Sequence, residues 1–343
     1  MVSLATVRAH NASLKSLGSG LVAVFVGGTS GIGLYTAREF VRYTVSPTVY
    51  LVGRNETQAR QVIQELNLIN PRGKFQFIKT DASLLRGVDS ACEVIQRQES
   101  RINLLFLSCG IFTMKGRDET SEGLDKKFSL HYYARMRFIN NLIPQLTQAA
   151  SNKKSENALS RVITVLGAGH ETRIDLNNLD LKTNYNLNSC DVHVTTMSSL
   201  MVEELASRYP STTFIHTYPG IVKSGISREA GPIVGRLVRA VMFLGRPWMV
   251  AEQECGERHL YVASSGRFPS GSLARGQSRI DVPENRRGAY LLSWDGAEVG
   301  NRKLLDEYHA SGAGRKVWEH TEEIFQTVLK GGYEYVAIDK IHS

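Results

Sequence analysis

The chain of 343 residues contains only four cysteines. Cys92, Cys109, Cys190 and Cys255 are far apart in sequence, and none belongs to a CxxC or Cys/His ligand spacing. This scarcity excludes a disulfide-stapled secreted module and argues against a zinc site. A reducing, cytoplasmic location is therefore the expectation.

Long hydrophobic runs are also missing from the sequence. No stretch approaches the roughly 18 consecutive apolar residues that a membrane helix needs, which excludes an integral membrane segment. Residues 1–20 lack the apolar core and the small-residue cleavage site of a secretory leader. We expect a soluble, unprocessed protein whose first 20 residues form an N-terminal extension.

Charge of one sign does not accumulate anywhere along the chain. Lys and Arg number 41 against 33 Asp and Glu, and the resulting excess of +8 is scattered. A nucleic-acid partner is therefore not indicated, whereas a phosphorylated small molecule suits this charge. With 42% apolar and 22% charged residues, the composition is that of a globular protein and excludes a disordered or coiled-coil chain.

Short apolar, β-branched runs alternate with helical periodicity up to about residue 220. Turn-forming residues follow each run within a few positions, and strands separated by helices imply a parallel sheet. Six strands are predicted, at Leu21–Val26, Thr48–Val52, Phe75–Ile78, Asn103–Leu107, Arg161–Leu166 and Thr213–Thr217.

Helices are predicted between these strands. Asn55 is the expected N-cap of one, apolar positions of 84–95 mark a second, and the segments 121–149 and 191–208 supply two more. Strict alternation with right-handed crossovers predicts an α/β fold, a doubly wound, mostly parallel, Rossmann-like sheet with helices on both faces. We expect a single domain, with a core at 21–265 and a C-terminal extension at 266–343 that ends in an amphipathic helix.

A glycine-rich loop follows the first predicted strand and precedes a helical segment. Its sequence, GGTSGIG at 27–33, has the spacing GxxxGxG. Glycines there permit a tight turn, close approach of the backbone to a pyrophosphate, and close helix–strand packing. The expected cofactor-binding residues of this loop are Gly27, Thr29, Ser30, Gly31, Ile32 and Gly33.

The second strand ends without the acidic residue that binds the ribose of NAD. Arg54 and Asn55 stand there instead, and a cation at this point favours the 2′-phosphate of NADP. NADP is therefore the predicted cofactor; the alternative is that Arg54 is a solvated surface charge.

With Asp81-Ala82 after the third strand and PGIVKS at 219–224, these motifs resemble the short-chain dehydrogenase/reductase family over roughly residues 20–262. The motifs SLHYYARMRF at 129–138 and VLGAG at 165–169 resemble a divergent branch of this family that is common in fungal secondary-metabolite pathways. The resemblance implies that Asp81 and Ala82 border the adenine. It also implies further cofactor contacts for Ser108, Cys109, Gly110, Pro219, Gly220, Ile221, Val222 and Ser224.

The family's Asn-Ser-Tyr-Lys tetrad has no counterpart in this sequence. Alignment from the secure motifs puts His131, Gly167, Asp191 and Thr195 at the four positions, and no YxxxK occurs between the fifth and sixth strands. Hydride transfer to a carbonyl still requires a proton donor, so a substitute is expected. Thr195 aligns with the family's Lys and is expected to contact the cofactor.

Three residues are candidates for that donor. Asp191 is expected to begin a helix that faces the nicotinamide, with Thr195 at i+4; its alternative role is a helix N-cap. His131 is placed to donate a proton near neutral pH, or else is a structural histidine. Tyr185 offers a phenol, but tyrosines such as Tyr132 and Tyr133 are more often packing residues.

Three functions fit these observations. The first is an NADP-dependent oxidoreductase of ketone/alcohol or enone type with a rebuilt acid–base site. The second is a non-redox cyclase, isomerase or dehydratase, and the third is a cofactor-binding pseudoenzyme. The apolar stretch 221–250 suits a substrate-covering segment for a hydrophobic polyketide or terpenoid; alternatively it is a buried core or dimer-forming helix of a homo-oligomer.

Overall fold

The computed structural model describes residues 1–151, 159–223, 225, 245, 249–276 and 287–330. Within them, one sheet of seven parallel strands has the order β3-β2-β1-β4-β5-β6-β7. The strands are β1 (Val22–Val26), β2 (Thr48–Gly53), β3 (Lys74–Lys79), β4 (Leu104–Leu107), β5 (Arg161–Val165), β6 (Thr213–Thr217) and β7 (Ala289–Leu292).

The six predicted strands are confirmed, each to within one residue at either end. β7 is an addition, because its four residues follow a Gly/Pro/Arg-rich stretch and carry too short an apolar run to stand out. It pairs in parallel with β6, Phe214 opposite Ala289. The region predicted as a C-terminal extension thus contributes the last strand of the sheet.

Helices cover both faces of this sheet, as predicted. They are α1 (Leu4–Ser13), α2 (Gly31–Tyr43), α3 (Glu56–Ile69), α4 (Leu85–Gln98), α5 (Lys126–Phe128), α6 (Ala134–Ala150), α7 (Leu187–Arg208), α8 (Glu252–Ser264), α9 (Gly271–Gly276), α10 (Arg302–Ala310) and α11 (Ala313–Lys330). A π-helical turn, Ser129–Tyr133, joins α5 to α6.

The alternation of side chains along β1 shows how the two layers are filled. Val24 and Val26 belong to a core shared with α4, α6, α7 and α11, whereas Ala23 and Phe25 face α2, α3 and α8 on the other side. All of these β1 side chains are almost completely buried. A strand buried on both faces reads as a continuous apolar run, which is why β1 was predictable.

Helix boundaries depart from the sequence prediction at two places. The segment expected to be helical from residue 121 becomes helical only at Lys126, because the Asp125 carboxylate caps α5 by accepting the N–H groups of Lys127 and Phe128. α7 begins four residues earlier than predicted, where Asn186 and Ser189 form a reciprocal capping box. Asn55 caps α3, as predicted, by accepting the Gln58 N–H at 3.0 Å.

The N-terminal extension contains a helix that packs against α8. Asn11, fully buried, donates to the carbonyl oxygen of Glu257 at 2.9 Å, and Arg8 forms a salt bridge to the same residue's carboxylate. All four cysteines are unpaired and buried. In the part of the chain that the structure describes, no helix has the length and apolar character to cross a membrane.

Candidate active site

A cavity of about 500 Å³ lies along the carboxyl ends of the strands. The chain reverses direction between β1 and β4, since β1 leads outward to β2 and β3 and β4 leads to β5, β6 and β7. Loops diverge at such a switch point and leave a crevice. The predicted site residues in its lining are Gly27, Thr29, Ser30, Gly31, Ile32, Arg54, Asn55, Asp81, Ala82, Ser108, Cys109, Gly110, His131, Pro219, Gly220, Ile221 and Val222.

The glycine loop forms the centre of this cavity. Gly27 has φ +85°, and a side chain on it would meet the Cys109 backbone nitrogen at 2.9 Å. Gly33 lies behind the wall, where a Cβ would come within 2.6 Å of the Gly27 carbonyl oxygen. Among the described residues, Ser30 forms no side-chain cap on α2, so the first N–H groups of a 13-residue helix face the cavity.

The β2 and β3 half of the cavity carries the predicted adenosine-side residues. Arg54 is exposed at the carboxyl end of β2, and its neighbour Asn55 uses its side chain to cap α3. The Asp81 Oδ1 atom accepts the backbone N–H and the hydroxyl of Ser83, at 2.9 and 2.8 Å. Arg54 is therefore the charged side chain that this end of β2 offers to the cavity.

The β4 and β5 half contains a residue that the sequence did not single out. Arg135, the second residue of α6, is 1% exposed and lines the cavity. Its guanidinium donates to the carbonyl oxygens of Leu130, Cys109 and Val165, at 3.2, 2.6 and 2.8 Å, and to the Thr164 hydroxyl at 2.8 Å. One side chain thereby holds the ends of β4 and β5 against the π-helical turn.

His131 lies in the middle of that π-helical turn and lines the cavity. Its Nε2 accepts the Ile111 N–H at 3.1 Å, so this nitrogen carries no proton. Burial, reinforced by the charges of Arg135 and Lys127, lowers the pKa of His131 to about 3. The imidazole is neutral at pH 7 and does not supply the acidic proton that the sequence predicted for it.

The segment after β6 closes the far end of the cavity. Pro219, Gly220, Ile221 and Val222 line it, and the Tyr35 hydroxyl anchors the segment by donating to the Lys223 carbonyl oxygen at 3.0 Å. Ser224 lies outside the described residues, as do 226–244 and 246–248 of the predicted substrate-covering segment.

Tyr185 lies apart from the cavity lining. Its hydroxyl donates to Asp125 Oδ1 at 3.2 Å, and the Lys127 ammonium lies 5.3 Å from the centre of its ring. Burial, with the Asp125 carboxylate, raises the pKa of Tyr185 well above its ordinary value. These contacts are those of a side chain that fastens α5 to the segment before α7.

Asp191 is exposed and is the fifth residue of α7. Asp191 neither begins α7 nor caps it, so both of these expectations were wrong. Asn186 is the N-cap, and Asp191 lies beyond the first turn. Thr195, one turn further on, is 2% exposed and is not part of the lining. A Cβ on Gly167 would lie 2.8 Å from the Thr195 hydroxyl, so these two of the four aligned positions meet beside the turn after β5. Asp191, like Thr195, is not part of the cavity lining.

His170 belongs to that same turn and was not among the predicted residues. Its backbone N–H donates to the Gly167 carbonyl oxygen at 3.0 Å, and its exposed ring lies 4.7 Å from the Tyr218 ring, centre to centre. Partial desolvation raises the pKa of the Asp191 carboxyl group, and the nearby His170 opposes this rise. A titratable side chain directly after VLGAG at 165–169 was the sequence signal for it.

A buried hydrogen-bond chain fixes the backbone of this turn. The Gly167 N–H donates to His216 Nε2 at 3.1 Å, so His216 Nδ1 donates to the Ser199 hydroxyl at 2.8 Å, which donates to Glu171 Oε1 at 2.7 Å. Burial lowers the pKa of His216 to about 3. The other Glu171 oxygen accepts the Asn301 N–H at 3.0 Å, which ties the turn to the C-terminal part of the chain.

Fold and cavity together define an α/β protein of the doubly wound class, with a glycine-lined cavity at the switch point of its sheet. Residues 21–156 match the profile of the family described as short chain dehydrogenase. Oxidoreductase AN1596 of Emericella nidulans is 42% identical over 96% of this chain and 99% of its own. The chain therefore belongs to the short-chain dehydrogenase/reductase family and is an enzyme of that type.

Two further comparisons agree with this assignment. Short-chain dehydrogenase/reductase SAT2 of Stachybotrys chartarum is 29% identical over 96% of this chain and 98% of its own. The crystal structure of NADPH-bound carbonyl reductase from chicken fatty liver has a TM-score of 0.56 and 16% identity, covering 82% of this chain and 100% of that one. The latter likeness supports the fold.

Proposed function

We propose that the protein is an NADP-dependent oxidoreductase of ketone/alcohol or enone type that acts on a hydrophobic secondary metabolite such as a polyketide or terpenoid. The observation that carries this proposal is the cavity itself, where a glycine turn, an uncapped helix N-terminus and a cation at the end of β2 lie along one crevice. The NADPH bound to the structurally similar carbonyl reductase and the similarity to a fungal oxidoreductase support it.

Residues of the glycine loop and the N-terminus of α2 would hold the pyrophosphate. The crowding at Gly27 and Gly33 leaves no room for a side chain at either position, which suits close approach of the backbone to an anion. Arg54 would bind the 2′-phosphate, because a guanidinium pairs with a phosphate where an acidic residue would repel it. Asp81 and Ala82 would border the adenine.

When bound, the cofactor supplies or accepts the hydride, and a side chain of the protein must donate or accept the accompanying proton. Asp191 is our proposed donor, since it lies on α7 one turn before Thr195, which replaces the family's cation, and its pKa is raised. His170, on the turn after β5, lies near enough to this carboxyl group to act on its charge. Neither His131 nor Tyr185 offers an acidic proton in its present environment.

Apolar side chains at the same end of the sheet support a hydrophobic substrate. Phe112 and Met114 follow β4 and are 42% and 58% exposed, and Ile221 after β6 is 53% exposed. Ile221 lines the cavity, as does Ile111, which directly precedes Phe112, and exposed apolar side chains suit a binding surface for an apolar ligand. A sugar or an amino acid would need more polar partners than these side chains provide.

The test uses the purified chain with NADPH, NADH and a panel of hydrophobic ketones and enones. We expect tighter binding of NADPH in calorimetry and loss of reduced-nicotinamide absorbance with at least one class of substrate. Substrate conversion without any change in that absorbance would instead identify a non-redox cyclase, isomerase or dehydratase. Binding of neither cofactor would refute the proposal.

A further inference from the structure

The buried guanidinium of Arg135 is not explained by cofactor cradling or by proton donation. It lies at the floor of the cavity, is 1% exposed, and satisfies its donors with four neutral oxygen atoms. Taking an ion out of water costs several kcal/mol even when its hydrogen bonds are made. Three backbone carbonyls and a hydroxyl stabilise this ion without neutralising it.

No carboxylate among the described residues forms an ion pair or hydrogen bond with Arg135. Its titratable neighbours are Cys109, His131 and His216. Burial raises the pKa of the Cys109 thiol and lowers the pKa of both histidines to about 3, so all three are neutral at pH 7. The nearest acid of this network, Glu171, is separated from Arg135 by His216 and Ser199. The cavity floor therefore carries a net positive charge.

The position of this charge along the cavity is informative. Arg135 bonds to the carboxyl ends of β4 and β5, through Cys109 and Val165, on the opposite side of the glycine loop from Arg54 and β2. A dinucleotide with its pyrophosphate at the glycine loop and its 2′-phosphate at Arg54 must extend its other base over β4 and β5. That base is the nicotinamide, which is a cation when oxidised and neutral when reduced.

We propose that Arg135 selects the oxidation state of the bound cofactor, disfavouring the cationic ring of NADP⁺ and so favouring NADPH. This inference rests on the proposed function and deepens it, because it assigns the enzyme to the reductive direction. Like charges repel, and a repulsion of about 1.4 kcal/mol between the guanidinium and the oxidised ring corresponds to a tenfold change in a binding constant. NADPH should therefore bind about tenfold more tightly than NADP⁺.

The first measurement needs only the native protein. Calorimetry or fluorescence titration gives the dissociation constants of NADPH and NADP⁺ at low and at high salt. NADPH and NADP⁺ carry the same phosphates, so the attraction of surface charges for those phosphates cancels in the ratio of the two dissociation constants. Because Arg135 is buried, the ratio should change little with salt, whereas both affinities should fall. A ratio near one, or a preference that disappears at high salt, would overturn the inference.

Variants then test the side chain itself. Arg135→Gln removes the charge and keeps amide donors, and the ratio should fall toward one. Arg135→Lys keeps the charge with poorer hydrogen bonding, so both affinities should weaken while the ratio persists. A merely structural role would weaken both ligands equally in both variants.

Arg161 offers a matched control. It is also buried, at 5% exposure, and donates to the backbone carbonyls of Val262 and Ser265, but it begins β5 at the end of the strand remote from the cavity. Arg161→Gln should lower the melting temperature and leave the ratio at its native value. An Arg135→Gln protein with the native ratio, or an Arg161→Gln protein with an equally reduced one, would refute the assignment. Failure of the native protein to bind either form would instead refute the proposed function.

Discussion

Substitution of Gly33 by alanine tests the glycine loop most directly. A Cβ at this position would lie 2.6 Å from the Gly27 carbonyl oxygen and 2.6 Å from the Ser108 hydroxyl oxygen. The Ser108 side chain can rotate away, but the carbonyl belongs to a turn at φ +85° that is already packed against Cys109. The start of α2 must therefore move away from β1.

The size of this effect follows from the contact distance. A carbon–oxygen contact of about 3.4 Å is ordinary, so α2 must shift by several tenths of an ångström, and overpacking of this kind costs about 1–3 kcal/mol. A domain with about 5–15 kcal/mol of stability remains folded after that loss. Displacement of one N–H from the pyrophosphate removes a charge-assisted hydrogen bond worth about 1.5–3 kcal/mol, or roughly 10- to 150-fold in affinity.

Urea unfolding and NADPH titration of the Gly33→Ala protein measure the two quantities separately. Gly116→Ala is the control, because a Cβ there would meet nothing within 4 Å, and we expect unchanged affinity and stability. A folded Gly33→Ala protein that binds NADPH as tightly as the native one would show that the nucleotide does not use the N-terminus of α2. Gly33→Val should abolish binding altogether.

Three other predictions concern charge. Arg54→Asp should remove a native preference for NADPH over NADH of at least about tenfold, about 1.4 kcal/mol, whereas Arg72→Asp, an exposed charge reversal away from the cavity, should preserve it in the same titrations. Asp191→Asn should lower kcat about 100-fold or more at nearly constant NADPH affinity; full activity would exclude the carboxyl group as the donor. His259 is buried with a pKa lowered to about 4, so the unfolded chain binds the extra proton and stability should decline as the pH falls below about 6.5. Replacing it with leucine should reduce that decline between about pH 7 and pH 5 by up to about 2 kcal/mol, as chemical denaturation at each pH would show.

The parts of the molecule that the sequence predicted are those governed by local patterns. Strands buried on both faces, such as β1, read as unbroken apolar runs, and the Asn55 cap follows from side-chain chemistry within four residues. β7 escaped detection because four residues carry too little pattern. Asp191 was misplaced relative to its helix because the Asn186 and Ser189 capping box is a weaker signal than the apolar run that follows it.

The chemistry of the site was harder to predict because it depends on what surrounds each group. His131 has the pKa of an isolated histidine only while it is exposed; the Ile111 N–H, burial and Arg135 together leave it neutral. Arg135 lies in the motif SLHYYARMRF, and nothing in this motif distinguishes an arginine exposed to solvent from one buried between two strand ends. The four neutral oxygen atoms that surround its guanidinium could therefore not be predicted from the local sequence.

These two environments are physically linked. A cation fixed at the floor of the cavity disfavours a second proton nearby, so the group that donates a proton must stand away from Arg135 or be neutral when protonated. Asp191 meets the second condition, because the acidic form of a carboxyl group carries no charge, and its pKa is raised. An imidazolium at position 131 meets neither. The buried charge of Arg135 therefore favours a carboxylic acid as the source of the proton. It disfavours the histidine of the π-helical turn.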